Sequence, residues 1–141
     1  MKKTVIILLL VFLNTNIHAQ DNLGTIVNEC VSLLDKPAPN YYQRLDRTRY
    51  RHPNQKIVVI VENGKVSLVA IGDVFETVNE AIDFNSKFYP FFESNGWIYN
   101  DKNYDGEDIY VKNGVYARIA HPGKRDDGYI ATAVILSKKL N

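Results

Sequence analysis

The sequence predicts an α+β domain in which two helices pack on an antiparallel sheet of about four to six strands. The expected order is helix, hairpin, helix, meander. Three observations predict it. Apolar residues recur at helical spacing between Leu23 and Leu34. Apolar β-rich runs flank Asn63-Gly64. The last third alternates short apolar runs with Asn-, Gly- and Asp-rich turns.

The first helix rests on Leu23, Ile26, Val27, Cys30, Val31 and Leu34, which form one apolar stripe. Asp21 or Asn22 is placed to cap its start, and Pro37 to end it. Cys30 lies within the stripe and reads as a small buried hydrophobe. Residues 36–56 form a polar connection, with a helical turn expected over Asn40 to Asp46 and extended chain over Arg47 to Arg51. Ile57 to Val61 and Val66 to Ile71 are the hairpin strands, because both residues of an Asn-Gly turn accept positive φ.

Thr77-Val78-Asn79-Glu80 is a capping box that opens the second helix. Its buried stripe is expected at Val78, Ala81, Ile82, Phe88 and Phe92, with Asn85 interrupting it. Pro90 should kink or divide this helix, and Gly96 should end it. The aromatic residues from Phe84 to Trp97 read as core. The meander is expected at Trp97 to Tyr99, Ile109 to Val111, Val115 to Ala120 and Tyr129 to Leu136, with a turn at Asn113-Gly114. Both faces of the last run are apolar, which suits a central strand whose alanines face a nearby helix. The two Asn-Gly hairpins give the chain a faint internal echo.

Residues 1–19 have the layout of a cleavable signal peptide. Met1-Lys2-Lys3 is a positive start, Val5 to Leu13 is apolar, and a polar stretch ends at Ala19. Nine apolar residues are too few to span a bilayer, which takes about 20. The expectation is a secreted or periplasmic protein, with residues 20–141 as a single domain of 122 residues. Without Lys2 and Lys3, 15 basic and 16 acidic side chains remain, so overall charge gives no argument for nucleic acid or membrane. One cysteine forms no internal disulfide, so the fold must stand on packing.

Charge is unevenly spread. Residues 36–56 hold six basic side chains against Asp46 alone, a net of +5. Residues 73–108 hold nine acids against Lys87 and Lys102, a net of −7. Tyr41, Tyr42, Arg44, Arg47, Arg49, Tyr50 and Arg51 therefore form the candidate partner-binding surface, since arginine and tyrosine are enriched where proteins grip partners. An exported domain points this surface at another exported protein or an anionic envelope polymer rather than nucleic acid. The competing expectation pairs these arginines with the acidic residues of the same domain.

The run from Asp101 to Gly106 fits the opening of a calcium loop, with Asp101, Asn103 and Asp105 as alternating oxygen donors and Glu107 as a further one. Lys112 stands where such a loop carries a bidentate glutamate, a departure from the pattern; a calcium- or small-ligand-binding module using the 101–108 loop is an alternative, and no other cofactor is expected. The common hydrolase, metalloprotease, dithiol and phosphate-loop motifs are missing from the sequence. His52 and His121 each precede a proline. A small hydrolase using His121 with Asp126 or Asp127 is the remaining alternative. The leading expectation is a non-enzymatic exported binding protein, such as an inhibitor or immunity protein.

Overall fold

The computed structural model describes residues 22–140, so the expected signal segment and the Asp21 cap lie outside it. Helix α1 spans residues 22–33 and buries Leu23, Val27, Cys30 and Leu33. It ends at Asp35, whose φ of 64° turns the chain out of the helix before Pro37 is reached. The strands are β1 (Gln43–Arg44), β2 (Arg49–Arg51), β3 (Ile57–Glu62), β4 (Lys65–Phe75), β5 (Ile98–Lys102), β6 (Asp108–Lys112), β7 (Val115–Ile119), β8 (Gly123–Lys124) and β9 (Ile130–Ser137). Helices α2 (Val78–Ser86) and α3 (Phe88–Ser94) lie between β4 and β5.

The described strands form one antiparallel sheet in the order β1-β2-β3-β4-β9-β7-β6-β5, with β8 also pairing β9. The α+β class stands, but nine strands replace the expected four to six. The excess comes largely from short edges. The polar connection supplies β1 within Asn40 to Asp46, where a helical turn is expected, and β2 within Arg47 to Arg51, where extended chain is expected, while β8 has only two residues. Such strands carry no periodicity of their own; their partners define them. Both Asn-Gly hairpins close as expected, with φ of 52° and 76° at Asn63 and Gly64 and 50° and 78° at Asn113 and Gly114.

The second helical stretch divides at Lys87, not at Pro90. Pro90 falls in the first turn of α3, where a missing N–H removes no helical hydrogen bond. Val78 and Ile82 are each 49% exposed, against the expectation that both are buried. Asn85 takes the inward position instead. Its amide donates to the Ala120 carbonyl at 2.9 Å, and its oxygen accepts from the Thr132 hydroxyl at 3.1 Å. A buried polar side chain with both ends satisfied thus sets the rotation of α2 on the sheet.

The core lies between the helices and one sheet face. Phe88 and Phe92 are fully buried and stack toward Trp97 and Tyr110, so the aromatic cluster is core, as expected. Strand register shows which strand residues join it. Tyr50, Val59, Val69, Leu136, Ala117 and Tyr110 align across six strands on this covered face. Strand β9 is central, bonded to both β4 and β7.

Candidate partner-binding edge and open sheet face

Strand alternation places the intervening residues on the opposite face, which no helix covers among the described residues. One row there runs Arg51, Val58, Ala70, Ile135, Arg118 and Ile109. A second runs Arg49, Ile60, Leu68, Ser137, Tyr116 and Val111. Val58, Ile60, Leu68, Ala70 and Ile135 are all only half-buried. Ala131 and Ala133 belong to this open face too. They therefore do not make room for a helix, contrary to expectation; Ile130, Thr132 and Val134 face the helices.

The structure splits the predicted Arg/Tyr surface. Arg49 and Arg51 extend the open face at the β2 edge. Arg44 lies on the other side, its guanidinium 5.9 Å from the centre of the Tyr50 ring. Arg47 is exposed in the turn between β1 and β2, and Tyr41 is 55% exposed. Tyr42 departs from the predicted surface: it is buried, packs edge-on against Tyr41 and His52, and its hydroxyl has no hydrogen-bond partner. Burial, followed by Cys30 nearby, pushes its phenol well above the usual range.

Asp46 organises the β1–β2 turn. Its carboxylate accepts from the backbone of Thr48 and Arg49 at 3.0 and 2.8 Å, and from Arg49 Nε at 2.7 Å. The Arg49 side chain first, then the two backbone donors, hold its carboxyl at about 2. Among the described residues, Arg44, Arg47 and Arg51 make no ion pair; Arg44 donates to the Asp46 carbonyl at 2.9 Å. Of the basic residues in 36–56, only Lys56 reaches the acidic stretch, pairing with Asp73 at 3.3 Å.

The 101–108 loop is held by its own side chains. Asn103 Oδ1 accepts from the backbone of Asp105 and Glu107 at 3.0 and 2.9 Å. Glu107 is buried and accepts from Arg118 at 2.6 Å, His121 N–H at 2.7 Å and the Asn103 amide at 3.1 Å. Burial pushes its carboxyl up, but these donors outweigh it and hold the group below its usual value. Asp101 has a φ of 97° and accepts from the Lys102 N–H. Among the described residues, no three His, Cys, Asp or Glu side chains converge as a metal site.

Asp108 accepts from Lys102, Tyr89 and Tyr99 at 2.7, 2.7 and 2.9 Å. It shares a cleft of about 210 Å³ with Asn85 and His121. His121 Nε2 lies 3.1 Å from the Asp105 carbonyl, while Asp127 pairs with Arg125 at the β8–β9 tip. His52 is committed elsewhere: its Nδ1 accepts from the backbone of Asn54 and Gln55. The open face is what sequence reasoning missed. Its signal was present in β3, β4 and β9, where the residues between the core positions are also apolar.

No family model, curated protein or solved structure matches this chain. Among the described residues, no helix is long and apolar enough to cross a membrane.

Proposed function

We propose that the protein is an exported, non-enzymatic binding protein that grips an acidic partner protein through the arginine edge formed by β1, β2 and their turn. Export rests on the layout of residues 1–19. One observation carries the binding role: Arg47 and Arg51 stay unpaired among the described residues although the chain carries nine acids between Asp73 and Asp108. Charge left unspent on an edge beside an apolar face suits a partner carrying carboxylates and an apolar patch. An inhibitory or immunity role toward another exported protein fits this surface; an anionic envelope polymer is the other anion it suits.

Immobilised protein presented with an envelope fraction should capture a partner that elutes as salt rises. Replacing Arg44, Arg47, Arg49 and Arg51 together by Ser should abolish that capture. Unchanged capture by the substituted protein would remove the edge from the function.

A further inference from the structure

The open face contains a cavity of about 390 Å³ between the β2 edge and the β8–β9 tip. Its floor is Val58, Ala70, Gly72 and Ala133. Ala70, Gly72 and Ala133 are small and hollow out a sheet whose neighbouring open-face positions carry Ile60, Leu68 and Ile135. At Gly72 the floor is bare backbone. A Cβ there would lie 2.6 Å from the Thr132 carbonyl oxygen and 2.9 Å from Ala133 Cβ. Arg51 borders the cavity from β2, and Arg125 borders it from the tip.

The charges at this cavity leave one positive unit over. Lys56 is matched by Asp73 at 3.3 Å and Arg125 by Asp127 at 3.0 Å, while Arg51 has no ion pair among the described residues. The volume falls within the range of small-molecule sites, about 300–1,000 Å³, and such sites combine an apolar lining with a few oriented polar groups. A guanidinium fork matches a carboxylate in plane and charge.

The geometry points to a binding site for a small monocarboxylate with an apolar tail, the tail lying on the Ala70–Gly72–Ala133 floor and the carboxylate meeting Arg51. This site shares Arg51 with the arginine edge but not Arg47 or Arg49, which line no part of the cavity, so substitution separates ligand binding from capture of a protein.

Calorimetric titration of the purified protein with octanoate, acetate and 1-octanol tests the assignment. Octanoate should bind saturably at one site, and acetate and octanol should each bind at least about tenfold more weakly, because each lacks one of the two recognised parts. Arg51→Ser should weaken octanoate about tenfold. Ala133→Leu should abolish binding by filling the floor, and Ala70→Leu serves if Ala133→Leu lowers the melting temperature. The Arg47→Ser, Arg49→Ser double variant should bind octanoate as the unaltered protein does, even where it loses a protein partner. Absence of saturable octanoate binding would overturn the site. So would octanol binding as tightly as octanoate, or octanoate binding insensitive to Arg51 and to the filled floor.

Discussion

On β4, Val69 and Ile71 are sealed under the helices, while Leu68 and Ala70, which alternate with them, lie on a face that no described helix covers. The same contrast runs along β9, where Val134 and Leu136 are fully buried and Ala133 and Ile135 are not. Adjacent residues of one strand thus serve different ends. The covered face is filled by large side chains and carries its hydrogen-bonded exceptions, Asn85 and Thr132, in mutual contact. The open face pairs half-buried aliphatic residues with arginines at its edge. Stability should therefore concentrate on one face and recognition on the other.

The largest effect that tests this division is Phe92→Ala. Phe92 is fully buried against Phe88, Trp97 and Tyr110, so its truncation should cost about 3–5 kcal/mol and lower the urea midpoint accordingly. A change under about 1 kcal/mol would mean the covered face is not the core.

Glu107 is the intermediate case, since it ties the 101–108 loop to β7 through Arg118. Glu107→Gln should cost about 2–3 kcal/mol near neutral pH, where the charged acceptor is lost. The folded-state carboxyl sits below its ordinary value of 4.5. Its stabilisation is therefore complete above that value and lost as pH falls through the lowered one. Thermal melts should show the wild-type advantage over the variant shrinking below about pH 4.5.

The smallest effect belongs to the open face. Ile60→Ser should cost less than about 1 kcal/mol, because Ile60 is already half-exposed. A loss as large as that of Phe92→Ala, read from the same urea curves, would erase the distinction between the faces.

What the sequence disclosed was local. The stripe of α1, the two Asn-Gly hairpins and the central place of β9 each rest on spacing or turn chemistry within a few residues. The short strands β1 and β8 were illegible because their pairing is imposed by neighbours, whereas β2 lies within the Arg47 to Arg51 stretch that reads as extended. The arginines were legible as charge. Which face each one occupies depends on register: Arg51 sits opposite Val58, whereas Arg44 sits opposite Tyr50. Ala133 was legible as a small residue on a two-sided strand, but alternation alone does not tell which side a helix covers. Asn85 is legible in the sequence only as a break in the apolar stripe; its role depends on Ala120 and Thr132, which the fold brings beside it.

The single cysteine gives the fold its own clock. Cys30 is fully buried on α1, and burial, with Glu29 adding to it, pushes its thiol up to about 12. A thiol so placed is nearly inert while α1 stays seated. Any reagent that labels it has waited for that helix to lift, so the labelling rate times the opening of the domain without a probe having to be built into it.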